Sequence, residues 1–133
     1  MQTRDMILEK NEGRRPVRIL TAMPSDTNPD GDIFGGWLMS QMDLAAGAVT
    51  KRRAGGRTVT VAVEGFKFIA PVHVGDEVVI YADIVKEGTS SMHVKVCTYA
   101  HAGCTGEETK VCEAIYIFVH IGDDKRPKTL PAA

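Results

Sequence analysis

The chain has 133 residues, which suits one domain able to bury a core without disulfides. Apolar residues make up 44% and charged residues 25%, a globular rather than a disordered balance. A net charge of -1 excludes a global basic field for nucleic acid or an anionic membrane, although local basic clusters can still hold a phosphorylated ligand. Cys97, Cys104 and Cys112 are odd in number and lack metal-ligand spacing, so they read as reduced thiols. No apolar run approaches membrane-spanning length and no charged-then-apolar leader is present, so a cytoplasmic protein is expected.

In chain order, residues 1–14 are polar and read as a frayed lead-in with one apolar cluster, Met6, Ile7 and Leu8. Arg15 to Met23 alternates as a first strand, closed by Pro24. A turn-rich loop leads to one long helix, about Gly35 to Ala54, with Asp32 placed to cap it. The helix is apolar or small on most faces, so it is expected to be buried on most sides. Lys51, Arg52 and Arg53 complement its C-terminal dipole, and Gly55-Gly56 stop it.

The period then switches to two. Thr58 to Ile69 is a strand whose phase slips at Gly65, the mark of a β-bulge. Pro71 to Asp76 is a turn, Glu77 to Lys86 a strand, and Glu87-Gly88-Thr89 a hairpin turn. Ser90 to Ala100 returns, a glycine-containing loop follows, and Lys110 to Ile121 is the last strand. The tail from Gly122 to Ala133 reads as loose surface coil. A strand, a long helix and four hairpin-like strands imply an α+β domain spanning 1–133, with a mostly antiparallel sheet curved around the helix. The valine-rich start of the 58–69 strand is the candidate edge for pairing with a second copy.

The chemistry concentrates at Asn28 to Asp43. Gly35 and Gly36 leave backbone N–H groups open at a helix start, where partial positive charge collects and a ligand can approach closely. Asp43 lies seven residues after Gly36, about two turns along the same face, among Met42, Leu44, Ala45 and Ala46. A poorly solvated carboxylate is a better base or nucleophile than one in bulk water. Asn28 precedes the helix and can hydrogen-bond a water or a carbonyl. Together these groups suit hydrolysis of a thioester: a pull on the carbonyl oxygen, a directed water and room beside the acid. From the residues alone, Asp43 could equally be a hydrogen-bonded acid on a core helix. No P-loop, dinucleotide fingerprint, Gly-x-Ser-x-Gly or metal-binding histidine pair occurs.

Met23-Pro-Ser-Asp-Thr-Asn28, Gly31 through Asp43, and Thr58-Val-Thr-Val-Ala-Val-Glu64 resemble the hotdog-fold acyl-CoA thioesterases, closest to the YciA-type branch. The likeness spans roughly residues 15–130. It implies a hotdog fold, a long central helix wrapped by an antiparallel sheet. It also implies dimers joined sheet edge to sheet edge, further assembled as trimers of dimers. By the resemblance Asp43 is the catalytic acid, Gly35-Gly36 the oxyanion-binding backbone, and Asn28 a helper from the neighbouring subunit. The reaction is hydrolysis of acyl-CoA to free acid and coenzyme A, with no metal or other cofactor. Substrate contacts are expected at Phe34, Thr60, Phe66 and Phe68. Thr89 stands where the family pattern has a basic residue, so Lys86, Arg126 or Lys128 is expected to hold the CoA phosphates, with Ser90 and Ser91 as donors. Two other readings stay open: an acyl-CoA sensor without turnover, and an acyl-thioester hydratase or dehydratase. The latter usually pairs a histidine with an acid near the helix, and no histidine precedes His73.

Overall fold

Alternating apolar residues after position 57 must pair as strands, and the one long helical segment must cover the face they share. A computed structural model describes residues 14–133. The expected lead-in, apart from Arg14, lies outside the described residues. The strands are β1 (Arg18–Thr21), β2 (Thr58–Phe68), β3 (Glu77–Glu87), β4 (Ser91–His101) and β5 (Glu108–His120), and the helix is α1 (Gly35–Ala54). All pairings are antiparallel, in the order β1-β3-β4-β5-β2. The valine-rich β2 is therefore an edge strand, as its sequence predicts.

The helix has the expected bounds. Its cap does not: Phe34 is the N-cap, no side chain caps the first turn, and no acid lies in it. Asp32 falls two residues early because Thr27 and Ile33 bridge, which keeps the segment before the helix extended. At the other end Gly55 adopts φ +66°, and its N–H donates to the Lys51 carbonyl. β1 is shorter than expected. Pro16 has no N–H to give, and ladder pairing with β3 runs only from Arg18 to Thr21.

The core lies between α1 and the sheet. Leu38, Met42, Ala45 and Ala46 from the helix pack with Val78, Ile80, Val94, Val96, Tyr116 and Phe118. β5 alternates as read, with Tyr116, Phe118 and His120 inward. In β2 the register shifts between Glu64 and Lys67, and Gly65 sits at φ +59°, so the bulge is where the phase slip placed it. Phe66 and Phe68 then lie against each other, ring centroids 4.7 Å apart and planes tilted by 53°.

Two further expectations are corrected. The helix is covered on one side only: Met39 and Leu44 are 37% and 54% exposed, and Ser40 and Ala48 lie open beside them. One sheet in one chain covers one helix face and leaves the other open. The tail is not loose. The Ile121–Pro127 bridge folds it back, the Leu130 N–H donates to the Thr89 carbonyl at 2.8 Å, and Leu130 is buried against the core.

Candidate active site

The open backbone at the helix start is real. The Phe34 carbonyl accepts from Trp37 and Leu38, while the N–H groups of Gly35 and Gly36 find no acceptor among the described residues. With no acid in the first turn, the positive end of the helix dipole is uncompensated there. Aromatic rings flank the pair. A Cβ on Gly35 would lie 3.0 Å from the Phe68 ring, and one on Gly36 would lie 2.7 Å from the Phe34 ring. Both rings are more than half exposed, so they can swing aside.

Asn28 organises the preceding loop. Its Oδ1 accepts the N–H groups of Asp30 at 2.9 Å and Asp32 at 3.1 Å. Its own N–H donates to the Asp32 carbonyl. The amide is thereby oriented: oxygen inward, Nδ2 outward, with no partner for Nδ2 among the described residues. What Asn28 offers a ligand is a donor. Two clefts of about 280 Å³ each open beside the helix start. One is lined by Asn28, Phe34 and Trp37. The other is apolar, lined by Ile33, Leu38, Phe68, Ile69 and Val72, with Gly35 in its wall.

Asp43 sits midway along α1, partly buried, facing β2. Its Oδ1 accepts the Thr60 hydroxyl at 2.5 Å. Thr60 thus fixes the carboxylate. Tyr116 was not singled out from the sequence. Its hydroxyl donates to the Met39 carbonyl at 2.8 Å. Burial, and then the nearby Asp43 charge, push its pKa well above the ordinary phenol value. The phenol therefore stays protonated beside the acid. Alternation in β5 put Tyr116 on the inner face, but nothing local revealed which helix residue it would meet.

Cys97 and Cys112 are placed for packing, and Cys104 is exposed. Burial pushes Cys112 up to about 12, and raises Cys97 too. Arg53 is engaged by Glu87, at 2.7 and 3.0 Å. His101 pairs with Glu108 at 2.8 Å.

Within one chain the candidates fall into three zones. Asn28, Phe34, Gly35, Gly36 and Phe68 gather at the helix start, with the Phe66 ring tilted against Phe68. Asp43 and Thr60 lie midway. Lys86, Ser90, Ser91, Arg126 and Lys128 lie near the opposite end, where the 87–91 turn meets the tail: the His120 N–H donates to the Ser90 carbonyl, and Leu130 to Thr89. The helix between the ends is about 30 Å long at 1.5 Å per residue. One chain does not bring the phosphate candidates to its own helix start.

A single long helix laid on a five-stranded antiparallel sheet is the hotdog arrangement of thioesterases. The chain belongs to the thioesterase superfamily, whose sequence pattern matches residues 30–103. It is 46% identical over 123 residues to the acyl-CoA thioester hydrolase YciA of Salmonella typhimurium, covering 90% of this chain and 92% of that one. The hexameric thioesterase y2039 of Yersinia pestis superposes with a TM-score of 0.85 at 42% identity, over 90% of this chain and 97% of that one. HI0827, a hexameric broad-specificity acyl-coenzyme A thioesterase, superposes at 0.84 and 43% identity, over 89% and 82%.

Proposed function

We infer that this protein is an acyl-CoA thioester hydrolase working as a homo-oligomer built from dimers, with hexamer as the full assembly. The observation that carries the reading is the uncapped Gly35-Gly36 helix start with a hydrogen-bonded carboxylate on the same helix, in a chain 46% identical to a named acyl-CoA hydrolase.

The chemistry follows from the groups. The thioester oxygen sits against the Gly35 and Gly36 N–H groups, which stabilise the negative charge it gains when attacked. Asp43 of the neighbouring subunit, two turns along its own helix and so brought to this carbonyl only across the dimer, takes a proton from a water as that water bonds to the carbonyl carbon. The tetrahedral intermediate then expels the sulfur of coenzyme A, and the proton held by Asp43 passes to the leaving thiolate. In the nucleophilic variant Asp43 itself attacks the carbonyl carbon and the C–S bond breaks to release the coenzyme A thiolate; water then hydrolyses the resulting anhydride to the free acid and the Asp43 carboxylate, and its proton passes to the thiolate. Thr60 holds the carboxylate in either route, and the outward Nδ2 of Asn28 donates to the water or the carbonyl. The apolar cleft beside Gly35 receives the acyl group, with Phe68 and Phe66 at its edge.

The assembly follows from what one chain leaves open. β2 is an edge strand, and Val59, Val61, Met39 and Leu44 are exposed apolar residues on β2 and the adjoining helix face. Antiparallel pairing of two β2 strands lays the two helices side by side in opposite directions and covers both faces. Asn28 of one subunit then approaches Asp43 of the other. No helix among the described residues is long and apolar enough to cross a membrane. We place the enzyme in the cytoplasm, where acyl-CoA is metabolised and free thiols such as Cys97, Cys104 and Cys112 persist. The test is thiol release from acyl-CoAs of graded chain length. Turnover supports the reading. Binding without release on every ester contradicts it.

A further inference from the structure

Most of the contact between α1 and the sheet is apolar, and apolar contact has no direction. The directional bonds from helix to sheet gather in one place. Within the five residues from Met39 to Asp43, three such bonds run to three different strands. Tyr116 of β5 donates its phenol O–H to the Met39 carbonyl at 2.8 Å. Arg18 of β1 donates a guanidinium N–H to Gln41 Oε1 at 2.9 Å. Thr60 of β2 donates to Asp43 Oδ1. The next one along the helix, among the described residues, joins Thr50 to Thr58 at 2.8 Å.

The phenol is the member that packing does not call for. Tyr116 is 1% exposed, and a phenylalanine ring would fill the same core space. Burying a hydroxyl is unfavourable unless it is bonded. Nor does the helix need this donor. In an α-helix the Met39 carbonyl already accepts the N–H four residues on, which is that of Asp43. The second lone pair of the carbonyl takes the phenol. One oxygen thus joins the backbone of the acid to β5. Thr60 faces Phe118 across the β2–β5 ladder, two residues along β5 from Tyr116, so the two donors reach the same turn from adjoining strands. Burial, and then the Asp43 charge, keep the phenol protonated, so the donor persists well above neutral pH.

We propose that Tyr116 is a positioning residue for the reaction: its hydroxyl anchors the Met39–Asp43 turn on β5 while Thr60 holds the carboxylate from β2. Tyr116 is closed off in the core and acts through Asp43. The proposal rests on the acyl-CoA reading and names a residue on which that site depends. On that reading Asp43 serves a carbonyl bound at another subunit's helix start, so its place is set through its own helix. A misplacement of about 1 Å at such a group can lower the rate about a hundredfold. Loss of one anchor beneath the turn displaces the acid by part of that.

The test is Tyr116→Phe in the intact oligomer, which removes one oxygen and keeps the ring. kcat for acyl-CoA falls about tenfold while KM stays near the parental value. In an Asp43→Asn background the same change brings no further loss, because no base is left to place. Hydrogen exchange of the amides at 39–43 quickens, and exchange at 46–50 stays as in the parent. Circular dichroism confirms the fold, and all readings are taken well below the melting temperature. Parental kcat in the folded variant, or a further tenfold loss on top of Asp43→Asn, overturns the proposal. A parent that hydrolyses no acyl-CoA sinks the hydrolase reading. The anchor itself is then decided by exchange: faster at 39–43 in Tyr116→Phe and it stands, unchanged and it falls too.

Discussion

Thr60 Oγ1 donates to Asp43 Oδ1 at 2.5 Å, tying the exposed edge strand to the middle of the helix. On the proposed mechanism the bond makes Thr60 a positioning residue, one that holds the acid, where the sequence alone suggested a substrate contact. Thr60→Val keeps the shape of the side chain and removes the donor. A hydrogen bond to a charged group contributes about 1.5–3 kcal/mol, so kcat should fall about tenfold or more. Thr60→Ser should recover most of the loss, and KM should change little. A rise in KM with kcat intact would instead make Thr60 a binding residue.

Gly36→Ala separates catalysis from folding. The added methyl meets the end of the Phe34 ring, and that ring is 53% exposed and free to turn away. Alanine is a better helix former than glycine, so the melting temperature should hold or rise slightly. Activity should nevertheless drop, by about a hundredfold, as loss of an oxyanion donor does, because the methyl occupies the approach to the N–H groups. Parental activity in a stable Gly36→Ala variant would remove the glycine pair from the site.

Leu130→Ala tests the tail. Leu130 is 8% exposed within the core cluster, and its N–H is bonded to the 87–91 turn. Truncation should cost about 2 kcal/mol, at the low end for a buried leucine, seen as an earlier denaturant midpoint. A neutral substitution would return the tail to the loose coil its composition suggested.

Glu113 makes one part of the stability pH-dependent. Its hydrogen bond from Lys110, 2.5 Å, holds its pKa below the ordinary 4.5. A carboxyl with a depressed folded pKa adds stability that is complete above the unfolded value and is lost as pH falls through the folded one. Glu113→Gln should therefore flatten the decline of melting temperature on acidification below about pH 4.5, and change little at neutral pH. An unchanged acid limb would show that the pair contributes nothing to it.

Much of this was legible in the chain. The helix bounds, the Gly65 bulge, the inner face of β5 and the edge position of β2 all follow from local signals: glycine stops, phase slips and alternation. The glycine pair announced its open N–H groups for the same reason. What local pattern does not carry is who meets whom. Thr60 and Asp43 lie on different elements, and only the packing of α1 on β2 joins them. Tyr116 reads as a core residue until the helix is laid over it. The helix composition predicts burial on most sides because its open face carries apolar and small residues as well. On the proposed assembly a second chain covers that face, and a single sequence does not distinguish burial within a chain from burial between chains. Leu130 was missed because one apolar residue has no period.

The central claim is that hydrolysis occurs at sites shared between subunits, Asn28 from one and Asp43 from the other. Asn28→Asp keeps the oxygen that accepts from Asp30 and Asp32 and removes the outward donor. Asp43→Asn removes the base. Each variant alone should lose at least about a hundredfold in acyl-CoA hydrolysis. After dissociation and random reassembly in equal amounts, half the dimers are mixed and each has one intact site, so about a quarter of parental activity should return. A reassembled mixture as inactive as its components, beside an equally treated parent that recovers, would place Asn28 and Asp43 in one chain's site and contradict the account.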